Sequence, residues 1–136
     1  MSRSIVLAGL LGVVGVIIGA YAAHGLEGFL QKQSLETDAI AKRLSQCDVA
    51  VRYHMLHTLA ILALGLSGIR NKSASIAVLF WLFGICLFSG GLYSMVFLGQ
   101  MGHWAIVPSG GLCFIIGWTA VVVLGLGVKR NEDTSR

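Results

Sequence analysis

Residues 5–23 read IVLAGLLGVVGVIIGAYAA, a stretch without a single charged side chain. A run of about 20 mostly apolar residues crosses the roughly 30 Å hydrocarbon layer of a bilayer as a helix, because a helix satisfies its own backbone groups where no water can. Three similar stretches follow, Val49 to Ile69, Ile76 to Gly99 and Trp104 to Val128, and none of the four contains Asp or Glu. The pattern predicts an all-α membrane protein, a four-transmembrane-helix up-down bundle forming one domain over residues 1–136, with spans at about 5–24, 50–69, 76–99 and 104–128. Arg3, the first apolar run and Ala20-Tyr21-Ala22 together mimic a secretory signal and its cleavage site. The run is long enough to span, so it reads as the first transmembrane helix.

Composition points the same way. Of the 136 residues, 56% are apolar and 12% charged, too few polar side chains to cover a soluble domain of this size. No dinucleotide fingerprint, phosphate loop or zinc-spaced cysteine set is present, and no extramembrane segment is long enough for a catalytic domain. Cys47, Cys86 and Cys113 lie far apart, the last two inside spans as ordinary small apolar residues. With no carboxylate in a span to orient a histidine beside a nucleophile, the expectation is that the protein is not an enzyme.

The cations orient the chain. Arg3 precedes the first span, Arg70 and Lys72 lie between the second and third, and Lys129, Arg130 and Arg136 follow the fourth. Lys32, Lys42, Arg43 and Arg52 in the first loop are balanced by Glu27, Glu36, Asp38 and Asp48. The excess of positive charge on one side predicts that both termini are cytoplasmic, in a bacterial inner membrane or an equivalent organellar one. The net charge of +4 is thereby topogenic, and no nucleic acid is expected as a partner.

The long first loop carries its own pattern. Thr37 is placed to cap a helix with Asp38 in its first turn, and Ile40, Leu44, Cys47 and Val51 recur at helical spacing while Lys42, Arg43 and Gln46 face elsewhere. Residues 37–49 therefore read as an amphipathic outer helix that lies in the interface, caps the bundle, or forms a solvated connector.

Glycine, with 18 residues, is nearly twice as frequent as usual and concentrated in the spans. Gly15 and Gly19 form a GxxxG motif that Ala23 extends, while Gly90-Gly91 and Gly110-Gly111 offer similar close approach. These positions serve either contact within one bundle or a homo-oligomer face. Pro108 fits the first turn of a helix starting near Val107, with Trp104 to Val107 as a lead-in; the alternative is a kinked helix from Trp104.

The polar residues of the spans fall near the outer side: His24 at the end of the first, Tyr53, His54 and His57 in the second, Ser89, Tyr93 and Ser94 in the third, Ser109 in the fourth. The inner half offers little beyond Ser67, Thr119 and the Trp118 indole. His57 is expected to face the bundle interior, bonded to Tyr93 or a serine, or else to bind a ligand, proton or metal. Arg52 reads as snorkelling to headgroups, or as holding an anionic partner.

Four segments carry a resemblance: Gly19-Ala-Tyr-Ala-Ala-His-Gly-Leu26, Val49-Ala-Val-Arg-Tyr-His-Met-Leu-His-Thr-Leu-Ala60, Phe88-Ser-Gly-Gly-Leu-Tyr93, and Ile106-Val-Pro-Ser-Gly-Gly111 with Gly117-Trp118. In this order they resemble the YgdD-like family, domain of unknown function 423, departing from it at Ala22, where glycine is expected, and at Ser109, where a bulkier apolar residue is. The resemblance implies a small bacterial inner-membrane protein with mitochondrial relatives, and no activity. The family motifs fall on His24, Arg52, Tyr53, His57, Ser89, Tyr93 and Pro108.

Three function classes remain open. The first is a non-catalytic component that binds membrane lipid, a membrane-protein partner or further copies of itself. The second is a small transporter or channel with an outward-facing polar site. The third is a redox or metal protein, using His24 and His57 as haem ligands or His54 and His57 as a metal pair, although no cofactor or metal is called for by any other feature.

Overall fold

Four helices are long and apolar enough to cross a membrane: Arg3–His24, Thr37–Leu66, Lys72–Phe97 and Ile106–Gly127. The computed structural model describes residues 3–100 and 102–134, with side chains described as far as Gly127. In chain order the elements are α1 (Arg3–His24), α2 (Leu26–Gln31), α3 (Thr37–Leu66), α4 (Lys72–Gly84), a π-helical turn (Ile85–Ser89), α5 (Gly90–Phe97) and α6 (Ile106–Thr134). The third crossing is thus α4, the turn and α5 in one continuous rod. Among the described residues there is no strand.

Helix α1 packs chiefly on α3 through a row of small residues. Ala8, Gly12, Gly15, Gly19 and Ala22 recur at alternating steps of four and three, the spacing that keeps one seam turned toward an antiparallel partner. A side chain added at Gly15 would run into Met55, one at Gly19 would sit 3.4 Å from Val51, and one at Gly65 of α3 would sit 3.0 Å from Ile5. The seam continues through Ala22. Ala23, expected to extend the glycine motif, is exposed instead, because a third residue at a constant step of four drifts off a heptad seam.

The second seam joins the third crossing to α6 and alternates large with small. Phe114 lies against Gly84, Trp81 against Gly117, and the backbone of Phe88 against Gly110. Phe114, Trp81, Ile61, Ala77, Ile85, Ala8 and Ala120 form the larger buried cluster. Gly90 and Gly111 bear less of this contact: a Cβ added at Gly111 would lie 3.9 Å from Phe88, and one at Gly90 would meet only the Ile85 carbonyl of its own rod, at 3.8 Å. Of the two anticipated pairs, Gly91, where an added Cβ would lie 2.9 Å from Val107, and Gly110 make the close approach, joined by Gly117 and by Gly84, which was not singled out by sequence.

The third crossing changes partner along its length. Its first half, α4, lies mainly on α6, whereas α5 lies mainly on α3, and the π-helical turn touches both. An extra residue per turn lets the rod shift register at the crossover, a common use of such bulges. As a consequence α3 and α4 separate toward the end where α4 begins.

At the opposite end the first loop is more ordered than its composition suggested. The outer helix is no separate element: α3 is one helix of 30 residues, roughly 45 Å at 1.5 Å per residue, so its first turns project beyond the bilayer. Its N-cap is Glu36, with no side-chain cap bond, and the anticipated Thr37 cap is already the first helical residue. The Ile40, Leu44, Cys47 and Val51 face caps the bundle, clustering with Leu26 and Leu30 of α2 and with Val96. Helix α2 escaped the sequence reading because six residues are too few to show a period.

Arg43, assigned to the outward face, in fact turns inward. Its Nη1 donates to Gln33 Oε1 at 3.2 Å and toward the Val96 carbonyl at 3.5 Å, placing a cation at the negative end of α5. Gly99, at φ +65°, turns the chain beside this guanidinium. Pro108 occupies the first turn of α6, which starts at Ile106, where its missing N–H costs nothing.

Candidate functional site

His57 stands at the centre of the bundle, 2% exposed, and both of its ring nitrogens are engaged. Nδ1 lies 2.7 Å from the Tyr53 carbonyl one turn earlier in α3. A carbonyl only accepts, so the proton is on Nδ1 and Nε2 carries a lone pair. That lone pair accepts a hydrogen bond from the Trp118 indole of α6 at 3.2 Å. The imidazole also stacks on Phe114, with centroids 3.5 Å apart and planes 10° from parallel. It is a neutral tether between α3 and α6, in place of the anticipated bond to Tyr93 or a serine.

Tyr93 is taken by the neighbouring histidine. Its hydroxyl lies 3.3 Å from His54 Nδ1, linking α5 to α3. His54 is buried and its Nε2 forms no hydrogen bond. Thr58 Oγ1 donates back to the His54 carbonyl at 2.8 Å. Two other buried polar atoms have no partner, the Trp81 indole nitrogen and the hydroxyl of Ser89, which sits in the π-helical turn. None of these three residues lines a cavity described below.

The remaining sequence candidates lie on the surface. His24 is exposed at the end of α1, and Ser109 is exposed in the first turn of α6. Tyr53, 43% exposed, lays its ring against Phe88 and Phe114 at centroid distances of 4.8 and 5.9 Å. Arg52 forms an exposed ion pair with Asp48, four residues earlier on α3. Ser94 donates to the Gln100 carbonyl at 3.3 Å and ties down the following loop.

The single polar layer expected from residue counting is therefore two separate contacts and a set of surface groups. His24 and His57 do not meet as haem ligands, and His54 and His57 turn to different helices. Iron or another metal at His57 would first have to break the Trp118 bond. Among the described residues no group of three or more His, Cys, Asp or Glu is placed to hold a metal ion. Trp81 escaped the sequence reading, and Trp118, noted there as an inner-half indole, was given no partner; a polar indole in an otherwise apolar span was the available signal.

The largest described cavity lies elsewhere, where α3 and α4 separate. It has a volume of about 640 Å³ and is lined by Arg3, Arg70 and Lys72 together with Gly65, Asn71 and Ser75. A smaller apolar hollow of about 220 Å³ lies under the loop before α6, beside Trp104 and His103. A third, of about 260 Å³, opens between α1 and α3 beside Gly19 and Leu44.

Residues 18–111 match a family described as "Protein of unknown function (DUF423)". The chain is 40% identical over 121 residues to a UPF0382 membrane protein of Haemophilus influenzae, covering 88% of this chain and 90% of that one. It is 38% identical over 130 residues to the UPF0382 membrane protein YwdK of Bacillus subtilis, covering 90% and 95%. A UPF0382 membrane protein of Schizosaccharomyces pombe is 33% identical over 123 residues, covering 86% and 96%. No solved structure matches the chain.

Proposed function

The chain belongs to the DUF423 family, whose relatives are membrane proteins without an assigned activity, and from that premise we propose that it is a non-catalytic membrane component that works by binding lipid or a membrane-protein partner. The observation that carries this proposal is the saturation of His57, whose two nitrogens are spent inside the bundle on Tyr53 and Trp118. A proton relay, ligand site or metal centre needs a free nitrogen at a group that solvent or substrate can reach. The larger described hollows lie at the bundle's ends and sides, which suits surface binding better than passage through the centre.

We further propose the inner membrane as its location, with the Arg3, Arg70 and Lys72 end cytoplasmic. Support for the orientation is the gathering of these cations at one end while the opposite loops are balanced. The side chains of Lys129 and Arg130, and all of Arg136, on which the same expectation drew, lie outside the described residues.

Gentle extraction from native membranes followed by native mass spectrometry tests the assignment. A stoichiometric protein or lipid mass on the bundle is the expected result. Reconstituted vesicles that pass protons or small solutes faster than protein-free vesicles would overturn it in favour of a transporter.

A further inference from the structure

Three cations line the open cavity at the end of the bundle where α4 begins, and among the described residues no carboxylate does. Arg3 comes from the described start of α1, Arg70 from the α3–α4 loop, and Lys72 from the first turn of α4. All three are exposed, and none makes a hydrogen bond or ion pair to another side chain among the described residues. The positive-inside rule accounts for their side of the membrane. It does not account for their opening on one cavity, which the start of α1 and the α3–α4 loop share.

Lys72 occupies the position least suited to it. The first turn of a helix leaves backbone N–H groups unpaired and is the positive end of the helix dipole, where a cation is disfavoured and an anion favoured. Asn71 Oδ1 accepts only from the Ala74 N–H, at 2.8 Å. At the end of α3 the Ala63 and Leu64 carbonyls already accept from the Ser67 N–H and hydroxyl. The cavity is thus a concentration of like charge, beside apolar walls formed by Leu64, Ile69 and Val78.

We propose that this cavity binds the phosphate headgroup of an anionic phospholipid, Arg3, Arg70 and Lys72 holding the phosphate while the acyl chains follow the apolar walls. The proposal names the lipid class within the binding role proposed above and rests on that role. Basic pockets between transmembrane helices at the cytoplasmic surface are suited to such headgroups, and the apolar lining favours a lipid over a free ion.

The test uses the full chain in detergent, where both ends are open and altered insertion cannot confound the result. The protein is offered an equimolar mixture of phosphatidylglycerol and phosphatidylcholine, and retained lipid is read by native mass spectrometry. The unmodified protein is expected to retain phosphatidylglycerol preferentially. The double variant Arg70→Gln/Lys72→Gln should weaken that preference about 25-fold, at about fivefold per cation, whereas Lys32→Gln/Lys42→Gln at the other end should leave it unchanged. Arg70 and Lys72 support no described side-chain contact, and unchanged thermal unfolding of the variant confirms that only charge was lost.

Equal retention by the inner variant, or equal loss in the outer one, overturns the site. Displacement of the lipid by millimolar inorganic phosphate overturns the lipid as its source and assigns the cavity to a free anion. Solute flux in vesicles would end the non-catalytic binding role without altering lipid retention, so the two failures are distinguishable.

Discussion

The Trp118 indole nitrogen and His57 Nε2 lie 3.2 Å apart across the bundle, the indole donating and the imidazole accepting. With Phe114 stacked on the same imidazole, this bond ties α3 to α6. Trp118→Phe keeps an aromatic ring but leaves the buried Nε2 lone pair without a donor, and should cost about 1–3 kcal/mol of stability. His57→Phe in the same chain removes the stranded acceptor, so the double variant should recover part of that loss. Thermal unfolding in detergent measures both, and a Trp118→Phe protein as stable as its parent would remove the bond from the account of the fold.

Helix α6 meets the third crossing backbone to backbone at Gly110. A methyl group there would fall on the backbone nitrogen and Cα of Phe88, which cannot rotate aside. Gly110→Ala should therefore destabilise by about 1–3 kcal/mol, as over-packing does elsewhere. Gly111→Ala places its Cβ at an ordinary 3.9 Å from Phe88 Cδ2 and should be neutral or slightly stabilising, since alanine is the better helix former. Gly15→Ala should fall between them, because its obstacle is the flexible end of Met55. If unfolding midpoints do not follow that order, the glycines act through something other than contact within the bundle.

The spans were legible because hydrocarbon imposes a length and forbids charge, and both constraints are local in sequence. Which residue meets which is not local. Residue counting put His57 and Tyr93 in one layer, but the register of α3 against α5 gives Tyr93 to His54 and leaves His57 for Trp118. Gly15 and Gly19 announced a seam, while the choice of Ala22 over Ala23 depended on whether the step was constant or alternated four with three. The π-helical turn had no periodic signature at all. Nor does any local pattern place Arg3 beside the α3–α4 loop, so the cavity around Arg70 and Lys72 could not be foreseen either.

Cys47 should be the slow thiol outside the spans. It is fully buried where α2 caps the bundle, beside Leu26, Leu30 and Val96. Burial, and secondarily the charge of Asp48, push its pKa above the usual thiol value of 9.0. Both effects disfavour the thiolate, the form that reacts with alkylating agents. Alkylation should accelerate only at a pH above that of a free thiol, and denaturant should abolish the difference. Asp48→Asn removes the smaller cause and should shift the profile modestly downward, provided exposure is unchanged. A native-state profile superimposable on that of a free thiol would contradict the buried placement.

Orientation can be read with one added cysteine at each end. Ser34, exposed in the α2–α3 turn at φ +54°, lies on the side of the balanced charges. Ser73, in the first turn of α4, lies on the side of Arg3, Arg70 and Lys72. In a background with Cys47, Cys86 and Cys113 replaced by alanine, Ser34→Cys should react in intact cells with a membrane-impermeant maleimide that can reach the outer face of the inner membrane. Ser73→Cys should react only after the inner membrane is opened. The cations set this direction because basic loops resist translocation whereas balanced ones do not. Moving the Arg70 and Lys72 charges to the Ser34 loop should therefore raise the inverted fraction. The opposite labelling pattern in the parent background would place the basic cavity on the outer face.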